Sequence, residues 1–239
     1  GKHNGGTTGT NSMNGNPITG PDSAQARATA HEYIRRGWQP VPVAPPEAGN
    51  DESGKNPIPK GWQNMEVGEA DISALWPAGV RRNIGILTGQ SGLVVLDFDE
   101  AFTYHEWASK HPDAAKSYTV ARNNAEPGRC HVYFQLAPDE LHPCNLTKKA
   151  VGWGDRLCKG RQVVAPPSVH YSGGIYEVII AGDALPWKEE YTPAPLTRPE
   201  AVPPRQHTPA PPPRAGSPGI PPSVQAALDF GASKGTRNE

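Results

Sequence analysis

An apolar run that ends in two carboxylates, Leu-Val-Val-Leu-Asp-Phe-Asp at residues 93–99, limits the folds open to this chain more than any other segment. Four consecutive aliphatic residues bounded by polar ones predict a strand buried inside a sheet. Because side chains alternate along a strand, Asp97 and Asp99 share one face and Phe98 packs on the other. The fold must therefore hold two negative charges together at the end of a buried strand.

Two carboxylates this close repel each other unless a cation lies between them. Oxygen ligands of this kind select Mg²⁺ or Mn²⁺, and such paired sites typically serve phosphoryl transfer. The alternative is a solvated strand end, because Asp-x-Asp patterns are common in turns. The pattern alone leaves both interpretations open.

The neighbouring segments predict strands and helices that do not follow a simple βαβ alternation. Residues 24–36 predict a helix capped by Asp22-Ser23 and stopped at Gly37, and Asp71 caps a short helix through Trp76. Strands are predicted at 38–45, 83–89, 92–99, 118–122, 130–136, 161–167 and 175–179, with a helix at 101–110. We expect the strands at 83–89 and 92–99 to be adjacent, in an α+β domain with a mixed or antiparallel central sheet.

Composition divides the chain and excludes some classes of protein. Residues 1–22 predict a disordered leader, 23–192 the folded domain, 193–222 a proline-rich linker, and 223–239 the start of a truncated helical region. No apolar run approaches the roughly 20 residues needed to cross a bilayer, and no signal peptide is visible. Three cysteines, Cys130, Cys144 and Cys158, fit reduced thiols, so we expect a cytoplasmic protein without membrane association.

Charge is balanced overall, with 23 Lys and Arg against 24 Asp and Glu, so any preference for nucleic acid must be local. Arg129 and His131 share a strand face, with Arg122 on the strand before, and together they could hold a triphosphate; alone, His131 also fits a structural histidine. Five basic residues surround Asp155 in the sequence: Lys148, Lys149, Arg156, Lys159 and Arg161. They form either a basic patch that binds nucleic acid or an ordinary solvated loop.

In pattern and order, these segments resemble the bifunctional DNA primase/polymerase domain of the archaeo-eukaryotic primase superfamily, found in replication proteins of phages and plasmids. The resemblance covers about residues 24–180. Its motifs here are Gly37 to Val43, Lys55-Asn56-Pro57 with Gly61-Trp62, Asn83 to Gly89, Asp97-x-Asp99, Gly128 to Phe134, and Asp155 followed by Gly160 to Ser168. The resemblance implies an α+β catalytic core whose central sheet contains an RRM-like element and is flanked by helices.

The resemblance also implies roles for individual residues. Asp97, Asp99 and Asp155 would be catalytic and bind two divalent ions, Mg²⁺ or Mn²⁺, while His131 contacts the phosphates of the incoming nucleotide. Strand geometry adds Arg129 and Arg122 to the nucleotide-binding residues, which also include Lys55 and Ser168. Lys55 or Lys60 would contact either the nucleotide or template phosphates. The basic residues Lys148, Lys149, Arg156, Lys159 and Arg161 would grip template DNA, and Trp62 and Trp153 either stack on its bases or pack internally.

The expected function is template-dependent nucleotidyl transfer by a two-metal mechanism, as a DNA primase and DNA polymerase acting on single-stranded or primed DNA with dNTPs and NTPs. A helical region and a helicase are expected to follow. Structural zinc is not expected, because Cys130, His142, Cys144 and Cys158 include no Cys-x-x-Cys pair. Two alternatives stay open: an Asp-x-Asp phosphatase of the haloacid dehalogenase type, and a DNA-binding replication module without catalysis.

Overall fold

The computed structural model describes residues 18–47 and 49–196, which form two β-sheets with helices packed against them. The helices are α1 (Ser23–Arg35), α2 (Ile72–Leu75), α3 (Ala101–Lys110) and α4 (Lys148–Val151). The strands are β1 (Pro40–Val43), β2 (Asn83–Leu87), β3 (Leu93–Phe98), β4 (Thr119–Arg122), β5 (Cys130–Gln135), β6 (Gly154–Leu157), β7 (Gln162–Ala165), β8 (Tyr176–Ile180) and β9 (Leu185–Pro186). The α+β prediction is confirmed. None of the described helices has the length and apolar character to cross a membrane.

The larger sheet has the strand order β6-β3-β5-β4-β8, with antiparallel neighbours throughout and β9 parallel to β5 at its margin. The smaller sheet has the order β1-β2-β7, also antiparallel. The chain passes from the smaller sheet to the larger after β2, returns for β7, and crosses again to β8. The two sheets are therefore tied together by three connections rather than one.

The prediction that segments 83–89 and 92–99 form adjacent strands is wrong, because β2 and β3 belong to different sheets. Between them the chain makes a tight turn, in which the N–H of Ser91 donates to the carbonyl of Leu87 and that of Leu93 to Thr88. This turn carries the chain out of one sheet and into the other. Each apolar run is buried, as expected, but against a different set of partners.

Strand β3 is buried on both faces, which explains its continuous apolar sequence. Leu93 and Val95 pack in a cluster with Tyr33 of α1, while Phe98 packs on the opposite face with Trp107 of α3. The helices begin and end close to the predicted residues, and the Asp22 carboxylate accepts the first N–H groups of α1 as the capping pattern requires. Asp97 lies on the face of Leu93 and Val95, where the two sheets approach each other.

The packed part of the chain reaches a little beyond residues 23–192 on both sides. The carbonyl of Gly20 accepts a hydrogen bond from Arg81, and the N–H of Leu196 donates to the carbonyl of Val151. Residues 1–17 and 197–239 lie outside the described residues. The leader, most of the linker and the following helical region therefore stay predictions.

We predict that Gly154→Ala disrupts the pairing of β6 with β3. A Cβ atom on Gly154 would lie 1.8 Å from the carbonyl oxygen of Asp97, far inside van der Waals contact. We expect the free energy of unfolding to fall by about 3 kcal/mol in chemical denaturation, since backbone atoms must shift.

Gly160→Ala is the matched control, because Gly160 (φ +76°) also has a positive φ, but a Cβ atom placed there would have no atom of the described residues within 4 Å. That variant should lose only about 1 kcal/mol, the strain of a left-handed alanine. Equal losses in the two variants would contradict the close approach at Gly154.

Candidate active site

Three polar side chains form a row across adjacent strands of the larger sheet. Asp97 on β3 has His131 of β5 as its partner on one side and Asp155 of β6 on the other. Directly opposite residues in an antiparallel pair project to the same face of the sheet. The three-strand row, Asp155-Asp97-His131, is therefore fixed by backbone pairing and not by loops.

Asp99 lies just past the end of β3, where its N–H donates to the carbonyl of Trp153 at 3.0 Å. Its carboxylate lies 3.4 Å from the Arg129 guanidinium and 3.6 Å from the Lys148 ammonium. Lys148 also contacts Glu100 at 2.9 Å, and its backbone N–H donates to Asp155 at 2.6 Å. The short helix α4 thus begins directly over the carboxylates.

A polar cleft of about 290 Å³ opens beside the three-strand row. Its charged and aromatic lining consists of Lys55, Asp97, Phe98, Asp99, Arg122, Arg129, His131, His170, Tyr171 and Tyr176. The lining thus combines the carboxylates of Asp97 and Asp99 with three basic side chains, and Asp155 of the row is not part of it. We call Lys55, Arg122 and Arg129 the basic side of the cleft.

His170 joins the basic side although the sequence analysis did not select it. Its Nδ1 lies 3.0 Å from Nη1 of Arg122 and 2.8 Å from the hydroxyl of Ser172. Burial and the positive charges of Arg122, Lys55 and Arg129 lower the pKa of His170 to about 4. The imidazole is therefore neutral near physiological pH, so its Nδ1 can accept a hydrogen bond from Arg122 and orient that guanidinium.

The carboxylates of the row have opposite electrostatic surroundings. Burial works to raise the pKa of Asp97, but His131, 3.3 Å away, together with Arg129 and Lys55, lowers that pKa overall. The pKa of Asp155 is raised, first by burial and then by the negative charges of Asp97 and Asp99. Asp155 thus carries a negative charge that its protein surroundings do not fully balance.

The donor chemistry of Asp97, Asp99 and Asp155 fits a hard divalent cation, which would also relieve the repulsion that raises the pKa of Asp155. As the side chains stand in the described part of the chain, no three Asp, Glu, His or Cys groups converge as a metal site. The oxygens of Asp99 are directed to Arg129 and Lys148, and Asp97 faces His131. A bound ion would compete with these partners.

Two predicted site residues lie elsewhere. Ser168 is fully buried, and its hydroxyl accepts from the N–H of Ile84 and donates to the carbonyl of the same residue, so it fastens the end of β7 to β2 and does not face the cleft. Arg156 is only 5% exposed, because alternation along β6 turns it away from Asp155 toward Glu189, Thr192 and the carbonyl of Cys144. The predicted nucleotide and DNA contacts of these two residues are therefore corrected to structural roles.

The other basic residues of the predicted patch lie at the surface. Lys149, Lys159 and Arg161 are exposed, as is Lys60, whereas Trp62 is half-buried and Trp153 is fully buried against Phe98. Of the two predictions for Trp153, stacking on bases or packing internally, the structure shows internal packing.

The cysteines are free thiols in the described part of the chain, with Cys130 and Cys158 buried and Cys144 exposed. Burial raises the pKa of Cys158 to about 12, and it raises the pKa of Cys130 as well.

His170, Tyr171 and Tyr176 were missed because they reach the cleft through a hairpin whose partner strand is distant in sequence. Val169 pairs with Ile175, and Tyr176 of β8 pairs with Arg122 of β4. The signal available in the sequence was a histidine two residues after the Pro-Pro-Ser segment, between two predicted strands. Only the strand order shows that this hairpin lies beside Arg122.

We predict that Asp155→Asn and Asp97→Asn change stability in opposite directions near neutral pH with divalent cations removed. A raised folded-state pKa means that ionised Asp155 lowers the free energy of unfolding, fully so above that pKa. The lowered pKa of Asp97 instead contributes stability that is lost as the pH falls through the folded-state value. Thermal melting should show a rise of a few degrees for Asp155→Asn and a fall for Asp97→Asn.

Both differences should shrink toward acid pH, where each carboxyl is protonated in the folded and unfolded chain alike. A fall in melting temperature for both variants near neutral pH would contradict the unbalanced charge at Asp155.

Comparison with known proteins identifies the family of this chain. No curated protein matches it. The family model described as "Bifunctional DNA primase/polymerase, N-terminal" matches residues 30–199, well over half of the chain and all of the three-strand row and the basic side of the cleft. This chain therefore belongs to the bifunctional DNA primase/polymerase N-terminal family.

Proposed function

We propose that this chain catalyses template-dependent nucleotidyl transfer on DNA in the polar cleft, acting as both DNA polymerase and DNA primase. The family implies a nucleotidyltransferase-type enzyme that depends on divalent metal. The observation that carries the proposal is the three-strand row, because it pairs Asp155 with Asp97, and Asp97 and Asp99 line the same cleft as the basic side. A transfer of this type needs a cation-binding pole and a phosphate-binding pole within the same site.

Asp97, Asp99 and Asp155 would hold two Mg²⁺ or Mn²⁺ ions. When bound, such ions supply activation of the attacking 3′-hydroxyl and neutralisation of the charge on the leaving pyrophosphate. The exposed fractions of the Asp97 and Asp99 side chains, 27% and 35%, leave their oxygens accessible from the cleft.

The basic side of the cleft would bind the triphosphate of the incoming nucleotide. Arg122 is held by neutral His170, and Lys55 lies with its ammonium 5.6 Å from the centre of the Tyr171 ring. His131 lines the cleft with its Nε2 3.3 Å from Asp97, while its Nδ1 is buried without a hydrogen-bond partner among the described residues. Arg129 spans the two poles, since it lies within contact of Asp99.

Template or primed DNA would lie along the exposed basic residues Lys149, Lys159 and Arg161, with Lys148 beside them at the carboxylates. Contacts from lysine and arginine to phosphates do not depend on base sequence, but they weaken as the salt concentration rises, because the release of counterions then contributes less. We propose dNTPs and NTPs as the substrates. The reaction would serve the replication of phage or plasmid DNA in the cytoplasm, together with a following helical region and a helicase.

Primer extension tests the catalytic assignment. We predict that the chain extends a primed single-stranded DNA template with dNTPs and Mg²⁺ or Mn²⁺. Asp97→Ala/Asp99→Ala should lower the rate at least a hundredfold, because these carboxylates would hold the ions that neutralise charge in the transition state. Asp113→Ala/Asp139→Ala is the matched control, because both residues are exposed aspartates outside the cleft. Product formed without a primer would add primase activity.

Three results would contradict the proposal. Hydrolysis of phosphomonoesters without template would support a phosphatase, and DNA binding without extension by a folded chain would support a replication module that lacks catalysis. Equal loss of extension in the active-site pair and the control pair would remove the assignment of Asp97 and Asp99.

Salt dependence tests the DNA surface. We predict that each of Lys149→Ala, Lys159→Ala and Arg161→Ala reduces the slope of log affinity against log salt for single-stranded DNA by about 0.7, the loss of one phosphate contact. Arg156→Ala is the informative comparison, since this buried arginine should reduce the melting temperature and leave the slope unchanged. An unchanged slope in all three surface variants would place the DNA elsewhere.

A further inference from the structure

Asn83, the first residue of the Asn-Ile-Gly-Ile motif, has a fully buried polar side chain outside the cleft. Its Nδ2 donates to the carbonyl of Gly54 at 3.1 Å and to that of Val169 at 2.8 Å, while its Oδ1 accepts from the N–H of Val169 at 3.0 Å. The amide thus satisfies the N–H and the C=O of Val169 as a neighbouring strand would. Its backbone begins β2, so the side chain is anchored in the smaller sheet.

The two segments that Asn83 joins each carry a residue of the cleft at the next position. Lys55 follows Gly54, and His170 follows Val169. His170 in turn holds Arg122 at 3.0 Å. One side-chain amide therefore sits a single residue away from two separate parts of the cleft lining, although Gly54 and Val169 are far apart in sequence.

The Gly54 segment has little room to adopt another position. A Cβ atom at Gly54 (φ +78°) would lie 3.2 Å from the Cβ of Pro46 and 3.4 Å from the Asn83 amide nitrogen, so the backbone runs directly against both side chains. On the other side, Nε2 of Gln162 on β7 donates to the carbonyl of Lys55 at 2.9 Å. The backbone of Lys55 is held between β2 and β7, and the free part of Lys55 is its side chain.

We propose that Asn83 is the positioning residue that sets the distance between Lys55 and the His170-Arg122 pair, and thereby the width of the triphosphate-binding side of the cleft. This inference rests on the proposed function, because it deepens the assignment of that side to the nucleotide. Asn83 acts through Lys55 and His170 and does not touch the nucleotide itself. Affinity for a triphosphate that both groups must contact falls when their separation is no longer fixed.

Asn83→Ala tests the inference through a separation of KM from kcat. We expect the KM for dNTP in primer extension to rise about tenfold with kcat within about twofold of the parent value, and the Kd for dATP with Mg²⁺ by calorimetry to rise by the same factor. Wild-type chain that neither extends primers nor binds dATP would refute the proposed function. Wild-type activity with an unchanged KM in Asn83→Ala would refute the role of Asn83 alone.

A purely structural effect is separated by a control and a double-mutant cycle. Ser117 is a fully buried residue two positions before β4, where its hydroxyl donates to the carbonyl of Tyr133 and accepts from the N–H of Leu185. Ser117→Ala should reduce the melting temperature without raising the KM. In a Lys55→Ala background, the KM effect of Asn83→Ala should shrink to less than about threefold, since one of its two targets is gone. Full additivity, or an equal KM rise in Ser117→Ala, would overturn the proposal.

If Asn83→Ala does not fold, Gln162→Ala provides the second test. Gln162 is half-buried, and its side chain bonds only the Lys55 carbonyl among the described residues, so its truncation should raise the KM for dNTP about threefold at unchanged kcat. An unchanged KM in that variant would show that the Lys55 backbone needs no fixing, and the inference would fail.

Discussion

The antiparallel pairing of β3 with β5 and β6 is the constraint on which the rest of the site depends. Because side chains alternate with a period of two, a slip of one residue in either pairing would turn Asp155 or His131 to the opposite face and into the apolar cluster of Phe98 and Trp153. Burial of β3 on both faces makes such a slip costly. The absence of a side chain at Gly154 lets β6 approach the carbonyl of Asp97 and holds the register at the end where the carboxylates lie.

The second sheet completes the cleft from another direction. Strand β7 ends at Ala165, and the hydroxyl of Ser168 and the amide of Asn83 then bond the departing chain to β2 in place of further strand pairing. That segment continues into His170 and the hairpin to β8, which returns to pair with Arg122. Asp97, Asp155 and Arg122 thus belong to strands of the larger sheet, whereas Lys55 follows β1 of the smaller sheet and His170 lies on the connection from β7 to β8. The cleft therefore draws its polar side chains from both sheets.

The sequence was sufficient for features that depend on local pattern. Helix α3, the capped start of α1 and the shared face of Asp97 and Asp99 follow from periodicity within a few residues. Features that depend on distant partners were not accessible. The separation of β2 from β3 depends on a turn between two equally apolar runs, and β6 is too short, with too many polar residues, to read as a strand. Arg156 was assigned to the DNA-binding basic patch and Ser168 to the nucleotide, because the neighbouring residues in sequence carry charge or belong to a family motif. Only the pairing partners show that Glu189 and Ile84 bind them inside.

Lys148 lies against the carboxylates of the site when no substrate is bound. Its ammonium contacts Glu100 and Asp99, and its backbone N–H donates to Asp155, so the first turn of α4 supplies positive charge to these carboxylates. The hydrogen bond to Glu100 and the nearby carboxylates raise the pKa of this lysine, which keeps it charged. The chain therefore supplies its own counter-ion for part of this negative charge. A cation that bound here would compete with the Lys148 ammonium for Asp99.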